Sequence, residues 1–234
     1  MPDIVTGLKM NDANTKFVIN GENVAELNDR FANAGPQEIL GWAYENLHPR
    51  VALASSFQSQ GVVLIDMFMK ISRDARVFTL DTGRLNQETY DVIDEIRNRL
   101  GTKVEVVFPD KKEVEEMVRE RGMNLFYKGR DNRILCCDVR KVRPLKKYLS
   151  QMDAWITSIR KEQTDNRAQA KKFEIDELHD GILKINPLVD WSSDQVWDYI
   201  EENKVPYNKL HDMGYPSIGC APCTRAIKPG EDPR

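Results

Sequence analysis

The sequence predicts an α/β fold, a single domain with a mainly parallel sheet covered by helices on both faces. Two observations carry this. From Val51 onward, apolar runs of strand length alternate with stretches of helical period, and polar loops join them. The 234 residues also suffice for one large core, with 41 % hydrophobic and 30 % charged residues.

In chain order, residues 1–20 are polar and weakly patterned and read as an N-terminal arm, which leaves 21–234 as the domain. Helical spacing begins at Val24 and Leu27 and runs to Phe31. It restarts after Pro36, which suits a first helical turn, with Ile39, Leu40, Trp42 and Ala43 on one face. The period then changes. Val51 to Ser56 reads as a run of strand length, followed by a polar loop, and Val62 to Met69 as a helix. The alternation repeats with a strand at Val77–Leu80, a helix at Gln87–Leu100, a strand at Val104–Phe108 and a helix at Lys112–Arg121. The charged run from Glu115 to Arg121 is a solvated helix face.

Mixed polarity and two glycines assign Gly122 to Cys137 as a loop. A helix follows over Asp138–Tyr148, which Pro144 distorts or starts late. Ala154–Ile159 reads as a strand, Arg160–Lys172 as a polar mobile stretch and Ile182–Leu188 as another strand. Ser192 is placed to N-cap a helix carrying Val196, Trp197 and Ile200. Beyond Pro206 no regular element is expected. Trp191 and Trp197 take packing positions. His48, His179 and His211 have no partner at metal-ligand spacing and read as ordinary polar residues.

No apolar run approaches the roughly 20 residues needed to span a bilayer, and no basic flank precedes an apolar block at the N-terminus. The expectation is a cytoplasmic protein with no membrane partner. A net charge of −3 supplies no global attraction for nucleic acid. A local basic segment does exist between Arg130 and Lys147, and it surrounds two cysteines. An iron or redox sensor that binds nucleic acid through this segment is opposed by the acidic overall balance.

In an open parallel sheet, ligands bind beyond the carboxyl ends of the strands. Three loops occupy that position: Ser55 to Gly61, Asp81 to Arg84 and Arg160 to Gln163. The first can turn hydroxyls and amides toward a phosphate at a helix N-terminus. Neither the Walker spacing nor the dinucleotide glycine fingerprint is present.

Only four cysteines occur, as the adjacent pair Cys136 and Cys137 and as Cys220 and Cys223 in a Cys-x-x-Cys. In a reducing compartment such clustering points to metal or redox chemistry rather than disulfides. Zinc sites usually space paired cysteines by two to four residues, which the second pair satisfies and the first does not. An iron-sulfur cluster spreads its thiolates over a larger object. Structural thiols without metal remain the plain alternative.

Taken together, Ser55-Ser56-Phe57, Leu80-Asp81-Thr82-Gly83-Arg84, Cys136-Cys137 with Arg140-Lys141-Val142, Trp155-Ile156-Thr157 with Arg160-Lys161-Glu162-Gln163, Asn186-Pro187-Leu188 and Gly219-Cys220-x-x-Cys223-Thr224-Arg225 resemble the assimilatory adenylylsulfate reductases. The matches run in order from about residue 51 to the end. The resemblance implies an adenine-nucleotide α-hydrolase-like fold, related to the ATP pyrophosphatases, and thioredoxin-dependent reduction of adenylylsulfate to sulfite and AMP in sulfate assimilation and cysteine biosynthesis. It implies a [4Fe-4S] cluster on Cys136, Cys137, Cys220 and Cys223. It places Ser55, Ser56, Phe57, Gly83, Arg84 and Leu85 beside the nucleotide, and Lys141, Arg160 and Arg234 toward the sulfate. Those cations would neutralise sulfate oxygens during thiolate attack and favour AMP departure. Two thiols already supply two electrons, so the cluster is expected to act as a local field.

The family nucleophile is a cysteine in a C-terminal Glu-Cys-Gly-x-His tail, a pattern absent from these 234 residues. The expectation is a chain that binds substrate and cluster without completing reduction. An ATP-using nucleotide α-hydrolase that adenylylates its substrate, with a four-cysteine zinc or iron-sulfur site, is the competing expectation. Phe57 and Gln58 oppose it, because they stand where that family's phosphate loop has paired glycines. Homo-oligomerisation is neither favoured nor opposed by the sequence.

Overall fold

The computed structural model describes residues 20–228 and 230–231; the rest of the expected N-terminal arm and Arg234 lie outside them. Strands β1 (Val51–Ala54), β2 (Val77–Leu80), β3 (Val104–Val107), β4 (Ala154–Ile156), β5 (Phe173–Asp176) and β6 (Ile182–Ile185) form one sheet in the order β3-β2-β1-β4-β6-β5. Every neighbouring pair is parallel except β5 with β6. The chain winds outward from β1 to β3 and then returns to β4 on the other side of β1, so the topological switch lies between β1 and β4.

Strand alternation divides the residues between two faces. Val51, Leu53, Val77, Ala154, Ile156, Leu183 and Ile185 enter the larger core, built against α1 (Gly21–Arg30), α2 (Pro36–Leu47), α3 (Ser59–Ile71), α4 (Gln87–Leu100) and α8 (Ser193–Asn203). Helix α3 is apolar nearly all round, and ten of its 13 residues are buried, so it is the central helix of this face. Ala52, Phe78 and Ile182 point to the opposite face. Helix α7 (Arg143–Leu149) packs there, and α5 (Lys111–Arg121) and α6 (Arg130–Cys137) meet in a separate smaller cluster beside it. Of these, α7 packs on the β2–β3 side, where Tyr148 stacks on Phe78 at 4.1 Å between ring centroids and donates to Glu105. Among the described residues no α-helix lies on this face beyond α7, and Ile182 of β6 packs with Leu149 and Met152.

The structure extends several expectations and corrects others. Gly122 to Cys137 is not a loop: Leu125–Tyr127 makes one 3-10 turn and Arg130–Cys137 is α6. Its polar outer face hid the inward Leu135 and Cys136, which with Val139 just beyond the helix meet Met117 of α5 and Leu125 and Phe126. Pro144 does distort the expected helix. Residues Asp138–Val142 form a π turn that joins α6 to α7, and the Arg143 amide donates to the Asp138 carbonyl five residues back. Strand β5 was not expected at all. The expected strand at Ala154–Ile159 ends at Ile156, because Thr157 turns its hydroxyl to Asn186 Oδ1. Arg160–Lys172, read as mobile, holds two 3-10 turns. Ser192 caps α8 as expected, accepting from the Gln195 amide at 3.1 Å. Among the described residues no helix is long and apolar enough to cross a membrane.

Two devices close the sheet edge at β5. The Asn28 carboxamide donates to the Phe173 carbonyl (2.9 Å) and accepts from the Phe173 amide (3.1 Å), standing in for a missing neighbouring strand. Lys172 Nζ, meanwhile, donates to the carbonyls of Phe31, Ala32 and Ala34 at the end of α1.

Candidate active site

A cavity of about 680 Å³ opens at the switch point and continues down the sheet face beside α7. That volume falls within the range of small-molecule sites. Its upper end is made by the β1 turn. Ser55 Oγ accepts from the Phe57 amide (3.0 Å) and stands against Gly61, where a Cβ would come within 2.5 Å of it. Gly61 therefore lets the turn close on the first turn of α3. The N-cap position of α3, Gln58, makes no side-chain cap, so the first α3 amides remain available for an anion. Gln58 is engaged elsewhere: Nε2 donates to Ser56 Oγ and Oε1 accepts from the Ile218 amide, both at 3.0 Å.

The loop after β2 supports the same end. Tyr90 donates its hydroxyl to both Asp81 oxygens (3.0 and 3.1 Å), and the Gly83 amide donates to Asp81 Oδ1 (2.7 Å). Burial, with Asp81 adding to it, pushes the Tyr90 hydroxyl above its usual pKa, so it stays a donor. Gly83 has φ +68°, a left-handed conformation that favours glycine. The turn presents the Thr82 carbonyl to Arg140 Nη1 at 2.6 Å and Thr82 Oγ1 to Cys220 Sγ at 3.2 Å.

All four cysteines line a second, smaller cavity, walled also by Phe126, Pro222, Arg84, Arg133, Arg140 and Lys141. The π turn answers the difficulty of adjacent cysteines: Cys136 and Cys137 close α6 where the helix widens, and both face this space. The other pair lies on a 3-10 turn at Ala221–Cys223, pinned by the Ala221 amide to the Arg84 carbonyl (2.8 Å) and by Asn86 to the Gly219 carbonyl (3.3 Å). Burial pushes the Cys136 thiol above its ordinary pKa, against the pull of Arg140, and burial does the same to Cys223. Buried Nε atoms of Arg84 and Arg140 have no protein partner. The four thiols share one cavity, yet among the described residues no three His, Cys, Asp or Glu side chains are grouped for a single metal ion. Four thiols around one space, ringed by guanidinium and ammonium groups, make a donor set that fits an anionic metal centre.

Of the expected site residues, Ser55, Ser56, Leu85 and Lys141 line the large cavity, and Lys141 lines both cavities. The other described substrate-site residues lie elsewhere. The Phe57 side chain is fully buried in the main core, with the backbone at φ +55°, and only its amide serves the turn. Arg84 turns to the thiol cavity, its guanidinium 4.8 Å from the centre of the Phe126 ring. Gly83 shapes the loop without lining the cavity. Arg160 is buried against Glu162 and the Trp191 carbonyl. The guanidinium that reaches the large cavity from this stretch belongs to Arg167, seven residues on, and it also donates to Gln163. The sequence signal for Arg167 was weak, because it lies in a run of unpatterned polar residues. Trp155, Asp176 and His179 complete the cavity's far end; in the sequence Trp155 stands out only within the Trp155-Ile156-Thr157 motif, His179 reads as an ordinary polar residue, and Asp176 goes unseen with β5.

Residues 50–226 match the phosphoadenosine phosphosulfate reductase domain. The chain belongs to this family. A relative in it, the adenosine 5'-phosphosulfate reductase of Burkholderia cepacia, is 44 % identical over 187 residues, which cover 80 % of this chain and 74 % of that protein. The crystal structure of phosphoadenylyl-sulfate reductase from Candida auris superposes with a TM-score of 0.78 at 29 % identity, over 90 % of this chain and all of the other. An FMN adenylyltransferase from Candida glabrata shares the fold alone, with a TM-score of 0.60, 12 % identity and coverage of 88 % and 68 %. The expected nucleotide α-hydrolase-like architecture is therefore present, and the reductase branch of it is the one the chain matches.

Proposed function

We propose that the chain binds adenylylsulfate in the large cavity, holds a [4Fe-4S] cluster on Cys136, Cys137, Cys220 and Cys223, and serves the reduction of adenylylsulfate to sulfite and AMP. The observation that carries this is Lys141, the residue common to the nucleotide-sized cavity and the four-thiol cavity. Ser55, Ser56 and the first amides of α3 bind the 5'-phosphate. Lys141 and Arg167 offset the sulfate charge, so that a thiolate can approach sulfur and AMP can leave as an anion. When bound, the cluster supplies a fixed local field rather than electrons. With all four cysteines committed, the attacking thiolate comes from outside these 234 residues. It forms a sulfur–sulfur bond as the sulfur–oxygen bond to AMP breaks. A thioredoxin dithiol then releases sulfite and is oxidised to a disulfide.

The ATP-using reading receives less support. Phe57 fills core and Gln58 is tied across the turn to Ile218, which narrows the place a pyrophosphate would need. The deciding experiment is iron, sulfide and zinc analysis after anaerobic purification, with visible spectra and binding measured for adenylylsulfate and ATP. About four iron and four sulfide per chain, with binding of adenylylsulfate in preference to ATP, is the expected result. Zinc, or tighter binding of ATP, would overturn it.

A further inference from the structure

The far end of the large cavity holds a hydrogen-bonded group that the reaction just described does not use. Trp155 Nε1 donates to Asp176 Oδ2 (3.0 Å), and His179 Nδ1 meets the same oxygen at 2.8 Å. A carboxylate only accepts, so Nδ1 carries the proton. The other carboxylate oxygen accepts from the Leu178 amide at 3.2 Å, which fixes the 3-10 turn that bears His179. The imidazole packs edgewise on Trp155, with ring centroids 5.5 Å apart. Both residues line the cavity, and among the described residues no hydrogen bond reaches Nε2. An imidazole held by a carboxylate, an indole and a backbone turn is pre-organised to present one acceptor, at little entropic cost on binding.

It lies below the phosphate turn: Trp155 is on β4, and Ser158 follows two residues after that strand ends at Ile156. Ser158 lies at the upper end of the cavity with Ser55, and Trp155 and His179 lie at the lower. Between them the walls are largely apolar: Phe78, Leu80 and Leu145. The two lower carboxylates, Glu174 and Asp176, are engaged by Lys184 (3.1 Å) and His179. His179 Nε2 is thus an acceptor open to a ligand that extends downward.

We propose that His179 is a specificity residue, whose Nε2 accepts a hydrogen bond from the nucleoside half of the bound nucleotide. This rests on the nucleotide reading of the cavity. The donor is a neutral N–H or O–H, which a nucleoside offers as the exocyclic amine or as a ribose hydroxyl.

The test measures binding of AMP, purine riboside 5'-monophosphate, 2'-deoxy-AMP and 3'-deoxy-AMP to the wild type and to His179→Phe and His179→Gln. It is run at one pH for all variants. Phe keeps the ring contact with Trp155 and removes the acceptor; Gln restores an acceptor. The expected result is that the wild type penalises one analogue about tenfold, the scale of one well-placed hydrogen bond. That penalty disappears in His179→Phe and returns in part in His179→Gln, and the penalised analogue names the donor. Penalties that persist unchanged in His179→Phe, or a wild type that penalises none, would overturn the proposal while leaving AMP binding intact. Failure of the wild type to bind AMP at all would remove the nucleotide reading itself, and His179 with it.

Discussion

The two faces of the sheet are built to different ends. One is sealed by five helices around a core that includes Leu53, Val63, Ile65, Phe68 and Ile156, none of them accessible to solvent. The other carries a smaller cluster of Ala52, Phe78, Leu149, Met152 and Ile182, and beside it the face floors the large cavity. The lesson is that stability and ligand binding draw on opposite sides of the same strands. Adjacent residues of one strand, such as Ile156 and Trp155, therefore answer to different pressures.

Substitutions can break this division or sharpen it. The largest stability effect is expected on the sealed face: Phe68→Ala should cost about 3–5 kcal/mol, read from denaturant unfolding. Trp155→Phe on the cavity face should cost far less in the same assay while weakening nucleotide binding. If the two losses proved equal, the division would fail. On ligand binding the largest effect is expected at the shared residue. Lys141→Met should weaken adenylylsulfate binding by more than tenfold, as loss of a charge-assisted contact implies, while leaving iron content unchanged. Cys223→Ser should do the reverse, losing iron while retaining AMP.

Asn28→Ala removes the strand-like cap on Phe173 at the β5 edge. About 1–3 kcal/mol of stability should be lost, with no change in nucleotide affinity. The smallest effect concerns pH. His211 Nδ1 lies 2.9 Å from the Tyr215 carbonyl, and its Nε2 is buried without a partner. Burial lowers its pKa in the folded chain, chiefly by desolvation. The neutral ring is therefore the stable one when folded, and the unfolded chain takes up the proton first. Its contribution should be complete above the unfolded imidazole value of about 6.5 and decline as pH falls below it. Thermal unfolding over that range should show the decline, and His211→Gln should flatten it.

How much of this could be read from sequence depends on how each segment is solvated. Strands β1 and β2 are short apolar runs in polar surroundings, so period and composition agree, and α3 declares itself by Val62 to Met69. Helix α6 hides because five of its eight residues, Arg130, Asp131, Arg133, Ile134 and Cys137, are exposed. Strand β5 hides for a related reason: Glu174 and Asp176 face the cavity, and only Phe173 and Ile175 turn toward the core. In the site, the cysteines and Lys141 were legible because their residue types carry chemistry at a distinctive spacing. Arg160 and Arg167 were not separable. Both are arginines of one polar stretch, and only the 3-10 turns decide which is buried and which reaches the cavity.

The π turn at Asp138–Val142 has a consequence in helical phase. An α-helix advances about 100° per residue, so one residue more or fewer between Cys137 and Lys141 would rotate everything downstream by nearly a third of a revolution. The cysteines would keep their places on α6. Lys141 would swing out of the wall between the two cavities, and Tyr148 would lose its stack on Phe78. The widened turn thus acts as a phase adjuster, setting the angle at which the thiol-bearing helix delivers its ammonium group to the nucleotide.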